Sequence, residues 1–173
     1  MKKILALVLA ALMVMTAVSA FAAGSKENKN INYGTTDDEE VTLGSATATA
    51  KLQEIIDAVT AAAKDGDALK GLPEDVAAKI PAEMKTINEM TCWQLSGDPT
   101  KLSELELVFK FETPYEEGEE VTLLIGISPA DADVEWLVLT GKGNADGDVV
   151  VKVTSAELNK IANNPFIVIP VSK

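Results

Sequence analysis

The residues best suited to metal chemistry lie in the segment GKGNADGDVVVKV, at 141–153. Asn144, Asp146 and Asp148 have the spacing of the first three oxygen ligands of an EF-hand calcium loop. That loop also needs a glycine at position 6 and a glutamate at position 12, where this chain has Val149 and Ser155. Starting the loop one aspartate later fails as well, because valines then occupy positions 5 and 6.

The same segment fits a β-hairpin turn better. Asn144, Asp146 and Gly147 suit positions i, i+2 and i+3 of a type I turn, and alternating valines follow as in a strand. We therefore predict a hairpin and expect no dedicated metal site and no cofactor. Two aspartates on the preceding loop could still join those of the turn in a weak calcium site. The weak candidate ligands are Asp131, Asp133, Asp146 and Asp148.

Several catalytic classes are excluded by composition. The chain has no histidine, and all 15 of its basic residues are lysine. Serine or cysteine catalysis through an imidazole base and zinc or haem bound by histidine are therefore excluded. So is the bidentate recognition of phosphate by arginine. A hydrolase with two carboxylates or a Ser-Lys pair needs none of these residues, but nothing in the sequence singles out such a pair. We predict that the protein is not an enzyme.

Aromatic residues are the groups that would bind a sugar by stacking. Trp93 and Trp136 lie in predicted strands, where a core would take them, and Tyr33 lies in a polar segment. Tyr115, in the loop TPYEEG, is the weak candidate for an exposed ligand-binding aromatic. The alternative for Tyr115 is a turn aromatic that folds over the edge of the β-structure.

The N-terminus has the pattern of a secretory signal peptide. Lys2 and Lys3 precede an apolar run, and Ala20 and Ala22 give the small-x-small motif that signal peptidase cleaves. The apolar run is shorter than the roughly 18 residues that a membrane span requires. We expect removal of residues 1–22, secretion to an extracellular location, and no integral membrane segment in the mature chain.

Charge and cysteine content limit the partners. The formal net charge of −12 becomes −14 when the two signal lysines are removed. Such a field repels nucleic acid and attracts basic partners and divalent cations. Cys92 is the only cysteine, so no internal disulfide forms; it lies far from the predicted cleavage site, so we see no covalent lipid anchor. We expect a protein or glycan partner.

The first half of the mature chain is predicted to be a leader followed by helices. Residues 23–40 are polar and acidic, as in a disordered segment. Apolar residues recur at helical spacing over 47–64, with Ser45, Thr47 or Thr49 as the N-cap. A short helix is predicted with Pro73 at its first helical position. Together, 41–86 form a predicted helical segment that packs on the outer face of a sheet.

The second half has the two-residue period of β-strands. Strands are predicted near 88, 104, 120, 134, 148 and 166. Thr154 and Glu157 form a capping box that predicts a short helix before the last strand. The strand DVEWLVLT is apolar on both sides and should be central and covered. The predicted fold class is α+β, with an antiparallel β-sandwich of about six strands and a short crossover helix over 87–173.

The stretches FETPYEEGEEVTLLIGI, VEWLVLTGKGNADGDVVVKVTSAELNKI and PFIVIPV give this half a resemblance to a family. They resemble the small immunoglobulin-like modules of exported proteins from Gram-positive bacteria, over 104–173. The resemblance implies a sandwich that serves as a spacer or binding domain. It carries over no functional residue, and the paired cysteines of true immunoglobulin domains are missing.

Three functions of different classes follow from these patterns. The first is an exported, non-enzymatic module that binds a protein or an envelope component. The second is a carbohydrate-binding module. The third, which we favour least, is a hydrolase with a pair of carboxylates.

Overall fold

The computed structural model describes residues 41–173, apart from the side chains of Thr100 and Asp131. The predicted signal peptide with Ala20 and Ala22, the acidic leader and Tyr33 lie outside the described residues. The strands are β1 (Thr42–Ser45), β2 (Thr86–Ile87), β3 (Thr91–Ser96), β4 (Glu104–Phe109), β5 (Glu120–Ile127), β6 (Glu135–Gly143), β7 (Val149–Thr154) and β8 (Pro165–Ser172). The α-helices are α1 (Ala50–Lys64), α2 (Glu74–Ala77) and α3 (Ser155–Ile161).

The strands form one sheet in the order β1-β3-β8-β5-β6-β7-β4, with β2 paired to β8. Every pair of named strands is antiparallel. The sheet is curled, because Leu43 of β1 and Leu105 of β4, from opposite ends of the order, belong to one core cluster. The structure is thus mostly antiparallel β-structure with a few helices, as the α+β prediction requires at this coarse level. The immunoglobulin-like sandwich stays a prediction.

We call the enclosed side of the sheet the inner face and the side that contacts α1 the outer face. Side chains alternate between the two faces, as the two-residue period dictates. Leu123 and Ile125 of β5 point to the inner cluster, whereas Leu124 points to the outer one. Because β5 and β8 are buried on both faces, they form the middle of the fold.

Helix α1 covers part of the outer face. The Thr49 hydroxyl accepts a hydrogen bond from the Leu52 N–H and so caps the helix, one of the caps expected from the sequence. Leu52 and Val59 are buried in one cluster with Leu124 of β5 and Ile169 of β8. This packing does not test the predicted boundary at residues 86 and 87 between a helical segment and a sandwich. The segment 41–86 also contains β1, which pairs with β3 of the sheet.

Two local predictions need correction. The strand expected to begin near residue 88 and to end near 95 begins only at Thr91, as β3, and the two-residue strand β2 precedes it at Thr86–Ile87. Pro73 is the N-cap of α2, so the first helical residue is Glu74 and not Pro73, the residue that the sequence predicts there. The short helix α3 is confirmed, and its capping box is complete: the Thr154 N–H donates to Glu157 Oε2 at 2.7 Å.

Over residues 41–173, none of the helices is long and apolar enough to span a membrane.

Candidate binding surface

The hairpin turn predicted between β6 and β7 is present. The Gly147 N–H donates to the carbonyl oxygen of Asn144 at 3.1 Å, which closes the turn. Asn144 Oδ1 accepts hydrogen bonds from the backbone N–H groups of Asp146 at 3.0 Å and Asp148 at 2.9 Å. The asparagine oxygen that a calcium loop would direct at the ion therefore stabilises the turn instead.

The candidate metal ligands have different surroundings. Asp133 and Asp146 are exposed, and Asp148 is half-buried. Burial raises the pKa of Asp148, an effect that the positive charge of Lys110 opposes and the negative charge of Asp146 reinforces. The side chain of Asp131 is not described. Among the side chains that are described in 41–173, no three of the types His, Cys, Asp and Glu lie together as a metal site would require.

Tyr115 is buried, with only 6% of its surface exposed. Its ring meets that of Phe111 edge to face at a centroid distance of 5.8 Å, and its N–H donates to the Gly147 carbonyl oxygen at 3.0 Å. The ring is thus folded over the end of the sheet, as in the alternative that we gave for it. In this position it offers no flat face on which a sugar could stack.

A buried carboxyl group lies beside Tyr115. Glu89 is 7% exposed, and its Oε1 accepts the Glu112 N–H at 2.9 Å. Burial raises the pKa of Glu89 to about 7, because the loss of hydration outweighs the backbone N–H groups that favour the anion. Burial also raises the pKa of Tyr115 to about 12, and the charges of Glu89 and Glu119 add to the shift.

The hydroxyl of Tyr115 is the buried polar side-chain atom that has no hydrogen-bond partner within the described part of the chain. The side chain of Asn88 approaches it and partly offsets the rise in the pKa of Tyr115, without completing a hydrogen bond. A buried hydroxyl without a partner costs about 1–3 kcal/mol. It therefore lowers the stability of the connection that contains it.

The two tryptophans are placed differently. Trp93 is 3% exposed, and its indole N–H donates to the Thr91 hydroxyl at 2.7 Å. Trp136 was expected in the core, but it is only half-buried. Its ring extends from β6 across Gly126 of β5: a Cβ atom at Gly126 would lie 3.0 Å from Cη2 of the indole and 2.9 Å from a methyl group of Ile167. The glycine therefore makes room for the ring.

Strand β6 has an open edge. It pairs with β5 from Glu135 to Lys142, but β7 pairs only with Lys142 and Gly143. No described strand pairs with the other edge of β6 before Lys142. The four apolar side chains along this edge are half-buried, two on each face, which corrects the expectation of a fully covered strand. They are Trp136 and Val138 on the outer face and Leu137 and Leu139 on the inner face.

Cys92 is half-buried on the outer face. Burial raises the pKa of its thiol to about 11, so the reactive thiolate is scarce at neutral pH. This agrees with a packing role.

Sequence reasoning missed Glu89 and the edge of β6. The residues Ile87, Glu89 and Thr91 form no pattern that predicts a buried carboxyl group. The open edge depends on where β7 leaves β6, which alternation within a strand does not specify. Comparison with known proteins does not supply the missing information: no family model, curated protein or solved structure matches this chain.

Proposed function

We propose that this chain is an exported, non-enzymatic binding module that recognises a protein or an envelope component. Its proposed contact is the edge of β6 between Glu135 and Gly141. The observation that carries the proposal is the combination, on one strand, of backbone groups without a strand partner and half-exposed apolar side chains on both faces.

An open edge of this kind can bind an extended peptide as an additional strand. The backbone groups of β6 would supply hydrogen bonds, and the apolar side chains would bury the alternating side chains of the peptide. Soluble proteins usually protect such edges with charges or with very short strands. Between Trp136 and Gly141, β6 has no charged residue, although the chain as a whole has a net charge of −12.

The proposed export of the protein and its proposed immunoglobulin-like fold have separate support. Export is supported by the signal-peptide pattern over residues 1–22. An immunoglobulin-like sandwich is supported by the inner cluster, in which strands from both ends of the strand order meet. A sandwich that presents one incomplete strand is suited to binding extended segments.

The test compares two valine substitutions in the full-length chain expressed for secretion. Val138 and Val150 are both half-buried and both point away from the inner core, but Val150 is paired on both sides, with Lys142 of β6 and Val108 of β4. Labelled protein is applied to isolated bacterial envelopes and to insoluble polysaccharides. We expect retention of the parent chain and of Val150→Lys on envelopes, and loss of retention for Val138→Lys. Equal retention of the two variants, both folded by circular dichroism, would exclude the β6 edge.

A carbohydrate-binding module is the second candidate, and the half-buried indole of Trp136 favours it. An indole with one accessible side can stack on a sugar ring, and the exposed ion pair between Lys160 Nζ and Glu135 Oε2, at 3.4 Å, lies at the start of the same strand. Retention on a polysaccharide that is lost with Trp136→Ala and kept with Val138→Lys would favour this function over strand addition.

The carboxylate-pair hydrolase remains the least favoured alternative. The pKa of Glu89 is in the range of a general acid, but the side chain is buried and one of its oxygens already accepts a backbone N–H. A substrate would need to displace the chain around 112 to reach it. Hydrolysis lost on Glu89→Gln would support this alternative.

A further inference from the structure

The connection between β4 and β5, residues 110–119, forms a strap across one end of the sheet. On one side, the strap is bound to the end of β6 and to the turn that follows it by three backbone hydrogen bonds. The Tyr115 N–H donates to Gly147, the Gly118 N–H donates to Gly143 at 2.8 Å, and the Gly143 N–H donates to Glu119 at 2.9 Å. A Cβ atom at Gly143 would collide with the Glu116 carbonyl oxygen, so the two segments are in close contact.

On its other side, the strap is held by the side chain of Glu89, which reaches it from the loop between β2 and β3. The Glu112 N–H donates to Glu89 Oε1 at 2.9 Å, and Glu89 as a residue is only 7% exposed. A neutral carboxyl group can keep this hydrogen bond. A carboxylate can also accept it, but in the buried position it loses most of its hydration.

The ionisable groups around Glu89 come from the strap and are acidic or neutral. Glu112 acts on Glu89 directly, and Tyr115 is affected by both Glu89 and Glu119. Lys110, at the start of the strap, exerts its positive charge on Asp148, which follows the turn between β6 and β7. When Glu89 is ionised, it is therefore repelled by the negative charge of Glu112 in the strap. Opening of the strap would let water hydrate the Glu89 carboxylate.

We propose that Glu89 is a proton-dependent latch, which holds the strap closed while its carboxyl group is neutral and releases the strap when that group ionises. The raised pKa of about 7 agrees with this behaviour: ionisation in the closed form is displaced from 4.5 toward neutrality. The partnerless hydroxyl of Tyr115 lowers the cost of opening, because water can hydrogen-bond it once the strap has lifted. This device is independent of the proposed binding function.

Amide hydrogen exchange of the full chain by NMR tests the latch. For the amides of Glu112, Tyr115 and Gly118, we expect the opening equilibrium constant, corrected for the intrinsic exchange rate, to rise at least tenfold between pH 5 and pH 8. Amides of β5 and β8 should report a higher free energy of opening. Glu89→Gln keeps the acceptor oxygen and cannot ionise, so its strap amides should show no such rise.

Two results would overturn the proposal. One is a strap protection that does not change with pH in the parent chain. The other is a loss of protection that is equal for strap, β5 and β8, because Glu89 would then act on global unfolding alone. Should Glu89→Gln fail to fold, Glu112→Gln serves instead: removing this neighbouring charge should lower the midpoint pH of strap opening, and an unchanged midpoint would contradict the latch.

Discussion

The contact between α1 and the short 3-10 helix at Ala68–Gly71 makes Gly71 a sensitive position. A Cβ atom at Gly71 would lie 2.5 Å from the backbone nitrogen of Val59 and 2.6 Å from the carbonyl carbon of Ala58, whereas ordinary contacts begin at 3.4 Å. The Val59 Cα is closer still, so Gly71→Ala must separate the two segments by roughly 1 Å. The backbone of α1 cannot rotate away as a side chain could.

We expect Gly71→Ala to lower the free energy of unfolding by about 2 kcal/mol. Overpacking costs about 1–3 kcal/mol, and the lower entropy of alanine in the unfolded chain offsets up to about 1 kcal/mol of it. Gly44→Ala is the matched control: a Cβ atom at Gly44 meets nothing within 4 Å, and the φ angle there lies outside the left-handed region, as at Gly71. Its effect should be neutral or slightly stabilising.

The assay is urea unfolding followed by circular dichroism, with m-values compared to confirm a two-state transition. A loss of less than 0.5 kcal/mol for Gly71→Ala, roughly the size of an ordinary surface substitution, would refute the tight contact. An equal loss for Gly44→Ala would show that the effect belongs to the backbone entropy of glycine and not to packing on α1.

Further predictions concern single side chains. Because the pKa of Glu89 is raised from 4.5 to about 7, the fold is more stable when this carboxyl group is neutral. The free energy of unfolding should therefore fall by at most about 3 kcal/mol as the pH rises from about 4.5 to 7. Urea titrations of Glu89→Gln should not show this dependence on pH. Thr154→Ala breaks the capping box and should cost about 1 kcal/mol by the same assay, whereas Thr154→Ser should not. Trp136→Ala should lower the free energy of unfolding by about 2 kcal/mol, which is less than the loss expected for a fully buried tryptophan. An unchanged urea midpoint would contradict the packing of the indole ring against Gly126. Cys92 in the native chain should react with a thiol reagent at pH 8 much more slowly than in urea, because burial raises the pKa of the thiol to about 11; equal rates would contradict its burial.

The features that the sequence predicted well are those with a local cause. Thr49 and Thr154 begin helices because their hydroxyl groups satisfy N–H groups within the next turn. Asn144 and Gly147 form a turn through atoms that are at most four residues apart. For such features, the neighbours in sequence are also the neighbours in space.

The features that escaped prediction depend on distant contacts. Glu89 is buried because 23 residues later the chain returns with an N–H group for it. Trp136 lies partly exposed because the pairing of β7 with β6 reaches no further than Lys142, and its ring lies across a glycine of another strand. A pattern within DVEWLVLT shows that both faces are apolar, but it does not show whether a neighbouring strand covers them.

The position of β8 has a consequence for biogenesis. This strand lies between β3 and β5 and also pairs with β2, so that it joins elements that all precede it in the chain. Until β8 has been synthesised, β3 and β5 have no strand to connect them, and the sheet cannot be completed. A premature stop before residue 165 would leave two disconnected sets of paired strands, β1 with β3 and β5 with β6, β7 and β4. Completion of the sheet is thereby deferred until residues 165–172 can take their place between β3 and β5.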